Sequence, residues 1–171
     1  DTQTKPNFIV ATNFPALLSV SPISLNFGPV ITDTSSTQTF QIVNAGGLTL
    51  SGSASATDPF FIVGGSPFSI APGQTGFVQV AFAPIDPGPY NSSVVFTSNG
   101  GNSTNSVTAT GWTPAQLSVL PFTLDFGMVA VGSSTQASFT ARNLGDAPLS
   151  NGVAVVTGGP FSILSGGTFN L

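Results

Sequence analysis

The chain has 171 residues, of which 40% are hydrophobic and only 5% are charged, and its formal net charge is −4. Lys5 and Arg142 are the only cations, so the chain lacks the positive track that nucleic-acid binding requires. The absence of cysteine and histidine excludes disulfide scaffolds, thiolate or imidazole metal sites, and catalytic triads or dyads that use either residue.

The low charge also indicates a compartment. Cytosolic proteins carry charges on about a quarter of their residues, whereas polar, nearly uncharged surfaces suit secreted walls, fibres and sheaths. We therefore expect an extracellular or cell-surface location. Little electrostatic repulsion would oppose the packing of one copy against another. No apolar run approaches the roughly 18 residues that a membrane-spanning helix needs.

An eleven-residue motif occurs twice in the chain. Residues 18–28 return as residues 117–127, 99 positions later, with seven identical residues. Shorter matches follow downstream in the same order, and residues 10–14 resemble residues 108–112. This repetition predicts three parts: the final strand of a preceding repeat with a linker at 1–15, a complete repeat at 16–113, and the first part of a second, incomplete repeat at 114–171.

Apolar and polar residues alternate within the complete repeat, which predicts β-strands because successive side chains leave opposite faces of a sheet. The residues predicted to share a strand face are, in chain order, Ile23, Leu25 and Phe27; Phe40 and Ile42; Val78, Val80 and Phe82; Tyr90, Val94 and Phe96; and Val107 and Ala109 with Trp112. Phe27, Phe40, Phe82 and Phe96 are predicted to point inward. Turns are predicted at Pro29, 44–47, 71–73, 84–89 and 99–101. Short strands at this spacing predict an all-β fold of tandem immunoglobulin-like β-sandwiches, in preference to a barrel.

The motif Leu-Ser-Val-x-Pro-x-x-Leu-x-Phe-Gly is followed by Phe-Gln-Ile-Val-Asn-Ala-Gly at 40–46, Phe-Ala-Pro at 82–84, Gly-Pro-Tyr at 88–90 and Ala-Thr-Gly at 109–111. In this order the motifs resemble the ASPM-SPD2-Hydin immunoglobulin-like repeat, also found in bacterial surface proteins as the choice-of-anchor D domain. The resemblance covers essentially the whole chain. It implies a sandwich that acts as a spacer or interaction module and brings no catalytic residues.

The acidic residues offer no catalytic pair. The six Asp residues do not cluster, and Asp33, Asp58, Asp86 and Asp146 lie in turn-like segments, where Asp commonly bonds its own backbone. A Ser–Lys pair would need Lys5, in a predicted edge strand far from any nucleophile turn. Calcium-loop spacings are absent, and the glycine pairs do not open helices. We expect no catalytic, cofactor-binding or metal-binding residue, and no enzyme.

Asn91-Ser-Ser and Asn102-Ser-Thr match the N-glycosylation acceptor pattern. In a chain so rich in Asn, Ser and Thr, two such matches also arise by chance. The two asparagines are therefore candidate modification sites on the surface.

Four residues mark the predicted junctions between repeats. Phe14 and Pro15 precede the complete repeat as Trp112 and Pro114 precede the next one. We expect the aromatic residues to plug the junctions and the prolines to limit bending. Trp112 could instead stack on a sugar if it is exposed.

These observations favour a non-catalytic extracellular structural module of a stalk, sheath or filament, with neighbouring repeats or identical subunits as partners. Two alternatives remain: an adhesin or ligand-binding module that takes glycans or other surface proteins, and an accessory domain of a larger secreted enzyme. No cofactor and no nucleic-acid partner are expected. The chain is either part of a longer repeat protein or a subunit whose N-terminal strand completes a sheet of another copy.

Overall fold

The computed structural model describes residues 14–171. Lys5 and nearly all of the strand predicted for the preceding repeat lie outside the described residues. The described chain consists of strands and turns, and no helix within it is long and apolar enough to cross a membrane. It divides into two compact units, of which unit 1 ends at Gly111 and unit 2 is Trp112–Leu171.

Unit 1 contains nine strands. They are β1 (Leu18–Ser21), β2 (Ser24–Ile31), β3 (Ser36–Asn44), β4 (Leu50–Ser55), β5 (Phe60–Gly64), β6 (Phe68–Ile70), β7 (Thr75–Phe82), β8 (Gly88–Ser98) and β9 (Gly101–Trp112). A four-stranded sheet has the order β1-β3-β7-β5, and a five-stranded sheet has the order β2-β9-β8-β4-β6. The hairpin between β8 and β9 pairs Ser98 with Gly101, so two residues form its turn.

The core of unit 1 consists of side chains from both sheets. Side chains along β3 and β7 point alternately inwards and outwards. Phe40 lies opposite Val78 across the ladder, and both side chains are fully buried. Phe40 meets Phe96 of the other sheet edge-on, with ring centroids 5.4 Å apart. Phe27, Phe60 and Phe82 form a second aromatic group. The all-β sandwich prediction is confirmed, as are the inward positions of Phe27, Phe40, Phe82 and Phe96.

Two predictions for the second strand are wrong. Ile23 was expected to share a strand face with Leu25 and Phe27, but its side chain is 83% exposed because it precedes the first residue of β2. Pro29 was expected to end the strand, but β2 continues to Ile31. This is possible because β2 is an edge strand, where a missing N–H removes no ladder hydrogen bond. Gly28 takes the positive φ of 65° that bends the strand.

Unit 2 repeats local features of unit 1 with short strands. They are β10 (Leu117–Leu120), β11 (Thr140–Asn143), β12 (Gly152–Val153) and β13 (Thr168–Phe169). Leu117 pairs with Asn143 as Leu18 pairs with Asn44, so the register of the first hairpin is the same in both units. The backbone N–H of Gly127 donates to Asp125, as that of Gly28 donates to Asn26. The 99-residue repetition is therefore structural as well as sequential.

Candidate functional site

The described acidic residues of unit 1 lie in its turns and connections. Asp33 has a φ of 62° in the turn after β2, and its backbone N–H donates to the Pro84 carbonyl. Asp58 and Asp86 lie in the connections before β5 and β8. Among residues 14–171, no three His, Cys, Asp or Glu side chains come close enough to hold a metal ion. Asp33, Asp58 and Asp86 therefore belong to separate turns and connections between strands.

Tyr90 is anchored inside the sandwich. Its ring packs edge-on against Phe82, with centroids 5.3 Å apart, and its hydroxyl donates to the Asp86 carbonyl at 2.9 Å. The side chain is half-buried. Both its apolar ring and its polar tip already have partners, which leaves little free surface for stacking on a sugar.

The two candidate glycosylation asparagines lie on the same sheet. Asn91 is exposed on β8, directly opposite Thr108 of β9. Asn102 is exposed on β9 opposite Thr97, and its side-chain oxygen accepts from the Ser98 backbone N–H at 3.2 Å. An attached sugar would project outwards from the five-stranded sheet at either position. Modification of Asn91 and Asn102 stays a prediction.

The predicted junction residues differ in exposure. Phe14 is exposed, and its carbonyl accepts from the Gly47 backbone N–H at 3.2 Å. Pro15 and Pro114 are exposed, and Trp112 at the end of β9 is half-buried. Their role as inter-repeat plugs and stiffeners stays a prediction.

The outward face of the five-stranded sheet of unit 1 is largely polar and carries no charge on its strands. The nine strands contain no Asp, Glu, Lys or Arg. Hydroxyl and amide side chains cover the five-stranded sheet on neighbouring strands, with Ser93 opposite Ser106, Asn91 opposite Thr108 and Ser53 opposite Thr97. The strands of this unit are therefore hydrated mainly by neutral hydrogen-bonding groups, and its described charged residues, Asp33, Asp58 and Asp86, lie outside the strands.

An exposed apolar cluster on the four-stranded sheet was not predicted from the sequence. We call Phe61 and Val63 of β5 and Phe77 of β7 the apolar rim; their side chains are 43%, 55% and 60% exposed. The strand reads Phe-Phe-Ile-Val-Gly, so period-two alternation gives no indication of its outward face. A bulge between Ile62 and Gly64 leaves Val63 without a partner on β7. The available signal was the run of four apolar residues without a polar neighbour.

Asp146 forms a specific contact in unit 2. Its carboxylate accepts from the backbone N–H of Thr113 at 2.9 Å and from the Thr113 hydroxyl at 2.8 Å. These two donors, the backbone N–H first, lower the pKa of the Asp146 carboxyl below 3.8, against a smaller opposing effect of desolvation. The expectation that Asp146 bonds its own backbone is wrong, since its partner lies 33 residues earlier. The contact orders a turn.

Comparisons with known proteins agree with this architecture. The model of the HYDIN/CFA65/VesB-like, Ig-like domain family matches residues 16–111. No curated protein matches the chain in sequence. A protein of unknown function from Porphyromonas gingivalis W83 is 17% identical with a TM-score of 0.49, over 61% of this chain and 51% of that one. The chain thus spans about half of that protein.

Two further solved structures are similar to the chain at low identity. The ASH/PapD-like domain 7 of human CEP192 is 13% identical with a TM-score of 0.49, over 67% of this chain and 96% of that one. The secreted serine protease VesC from Vibrio cholerae is 15% identical with a TM-score of 0.42, over 56% of this chain and 23% of that one.

The family match covers more than half of the chain and coincides with the two-sheet sandwich of unit 1. The family match confirms the immunoglobulin-like fold and the resemblance to ASPM-SPD2-Hydin repeats. The chain belongs to the HYDIN/CFA65/VesB-like, Ig-like domain family.

Proposed function

We propose that this chain is a non-catalytic structural module of an extracellular stalk, sheath or filament, and that its partners are neighbouring repeats or identical subunits. The module supplies a rigid sandwich with neutral faces. Its role is to set spacing and to pack against copies of itself.

The observation that carries this proposal is the absence of charge from all nine strands of unit 1. Charged side chains on sheet faces and edges normally keep β-proteins apart in crowded compartments. Neutral hydroxyl and amide groups retain hydration but do not repel an identical surface. Such a unit is suited to dense lateral packing outside the cytosol.

Fractionation of the source cells tests the proposal. An antibody raised against the chain should detect it in the envelope or the culture medium, and protease added to intact cells should remove the envelope signal. A cytosolic marker protein on the same blot controls for cell lysis. Detection of the chain only in the cytosol, beyond the reach of the protease, would overturn the proposal.

A second candidate function is an accessory domain of a larger secreted enzyme. The observation that favours it is the family description, which names VesB, a protease of Vibrio cholerae. The mass of the native polypeptide under denaturing conditions, compared with the 17.2 kDa of these residues, tests this candidate. A larger polypeptide whose peptide map includes a catalytic domain would support it, and a larger polypeptide made only of similar repeats would support the structural role.

A further inference from the structure

The four edge strands of unit 1 are unequally protected against pairing with another chain. In the five-stranded sheet, β2 carries Pro29 within its length and β6 has only three residues. In the four-stranded sheet, β1 presents Ser19 and Ser21 outwards. Proline, short length and polar side chains are common means of blunting a sheet edge.

Strand β5 lacks these three protections, although a bulge interrupts it at Val63 and its Phe60 N–H donates to the Thr57 carbonyl of the same chain. All of its residues from Phe60 to Val63 are apolar, and among the described residues only β7 pairs with it. Phe61 and Val63 expose their side chains beside this open edge, and Phe77 extends the apolar rim onto β7. An exposed, apolar edge strand without a charge is a template for strand addition.

We propose that β5 pairs antiparallel with β5 of a second copy of this chain, with the two-fold axis at Phe61. The proposal deepens the proposed function, on which it rests, by naming the surface through which copies associate. The pairing would join two four-stranded sheets into one continuous sheet of eight strands. An isologous contact of this kind uses the same patch on both copies.

The register follows from the regular part of β5. Phe60, Phe61 and Ile62 pair in step with β7, whereas the bulge interrupts the strand at Val63. An axis at Phe61 pairs this regular part with itself, so that Phe60 lies opposite Ile62 of the second copy. The two Phe61 side chains then meet on the outward face, where a cross-strand aromatic pair is favourable. The fully buried Phe60 stays on the inward face.

Charge does not oppose this contact. Neither β5 nor β7 contains a charged residue, and Asp58 lies outside the paired segment. Because the patch is identical on both copies, a patch of one charge sign would repel its copy, whereas this neutral patch does not. An uncharged, self-complementary edge therefore favours a second copy over a charged partner.

Sedimentation velocity of the full chain over a concentration series is the first test. The wild-type chain should show a concentration-dependent dimer. Val63→Lys should raise the dimer Kd about tenfold or more, because it places a charge at the open edge. Val95→Lys is the matched control, since Val95 is 39% exposed on the interior strand β8 and should leave the Kd unchanged. Circular dichroism checks that both variants remain folded.

A disulfide trap tests the register, because the natural chain has no cysteine. Phe61→Cys should form a covalent dimer under mild oxidation, since residues opposite each other across an antiparallel pair lie about 5 Å apart. Val63→Cys should not form a covalent dimer, because the two introduced thiols would be displaced by four residues, roughly 13 Å along the strands.

Three outcomes would overturn the pairing: a monomeric wild-type chain, a dimer equally weakened by Val63→Lys and Val95→Lys, or equal cross-linking of the two cysteine variants. None of them bears on where the protein is found. A monomeric chain in the envelope fraction would contradict the pairing and leave the proposed function standing. A cytosolic chain that dimerises through β5 would support the pairing and contradict the proposed function.

Discussion

Asn44 connects several segments at one end of unit 1. Its side-chain oxygen accepts from the backbone N–H groups of Leu17 and Gly46, and its amide donates to the carbonyls of Leu48 and Ile70 at 2.8 and 2.9 Å. The residue is fully buried. A buried amide with every hydrogen-bonding position in use fixes the relative placement of the chain segments around it.

Replacement of Asn44 by Ala should therefore destabilise unit 1 by about 2 kcal/mol or more, because buried backbone groups lose their partners. Asn143 is the matched control. It makes the corresponding bonds to Gln116, Gly145, Ala147 and Leu171, but it is only half-buried, so water can replace the lost amide. Urea unfolding of both variants checks this, and equal losses would contradict it.

The hydrophobic core gives a second prediction at the residue scale. Phe40→Ala should lower the free energy of unfolding by about 3–5 kcal/mol, because it removes a fully buried ring that contacts the opposite sheet. Ile23→Ala should change it by less than about 0.5 kcal/mol, since that side chain is mostly exposed. Chemical denaturation followed by circular dichroism measures both, and a loss below about 1 kcal/mol for Phe40→Ala would exclude its core role.

The Asp146 contact predicts a local pH dependence. Its pKa is lower in the folded chain than the ordinary value of 3.8, so the unfolded chain binds the proton more tightly. The contact therefore contributes stability above the ordinary pKa, and this contribution is lost as pH falls through the lower, folded pKa. NMR titration of the Asp146 carboxyl and the Thr113 amide measures this.

Thr113→Val is the control for that titration. It removes the hydroxyl donor and keeps the backbone N–H, so the pKa of Asp146 should rise part of the way towards its ordinary value. An unchanged pKa in this variant would show that the hydroxyl contributes nothing.

At the scale of the elements, the strands with clear alternation were predicted, whereas β1, β4, β5 and β6 were not. Strands β3, β7 and β8 lie inside their sheets, so one face of each meets the core and the period-two pattern is strong. Strand β2 lies at an edge, and its position there permits Pro29. Which strands become edges depends on long-range pairing, and no local pattern encodes that.

The dependence on long-range strand pairing also explains which surface residues were not predicted from the sequence. Asn91 and Asn102 were found through a short motif that needs no tertiary information. The apolar rim consists of residues from β5 and β7 that the sheet order brings together. Its recognition required knowledge of which face of β5 points outwards and that β5 neighbours β7, and a run of apolar residues gives neither.

At the scale of the whole molecule, the two units share a sequence pattern but differ in burial. Phe139 occupies the repeat position of Phe40, yet it is 54% exposed whereas Phe40 is fully buried. In unit 1, β3 lies between β1 and β7; in unit 2, β10 is the one strand of the described chain that pairs with β11. Burial of a repeat position thus depends on the strands that flank it.

Hydrogen exchange should show this difference directly. Backbone amides of β3 and β7 should exchange on the order of a hundredfold or more slowly than those of β11, because exchange from the core strands of unit 1 requires much larger opening. Exchange of the full chain, followed by mass spectrometry with peptide resolution, measures both sets in one sample. Equal protection of the two units would contradict the burial difference.

The uncharged strands of unit 1 also affect its tolerance of the surrounding medium. Dissolved ions act on protein stability by screening charges, and acidity acts through groups that bind protons differently in the folded and unfolded chain. The nine strands contain no group on which either effect acts, because they contain no Asp, Glu, His, Lys or Arg. The nine strands should therefore contribute nearly the same stability in fresh water, in dilute salt and in mildly acidic surroundings, whereas the contribution of ion-paired strands would change between them.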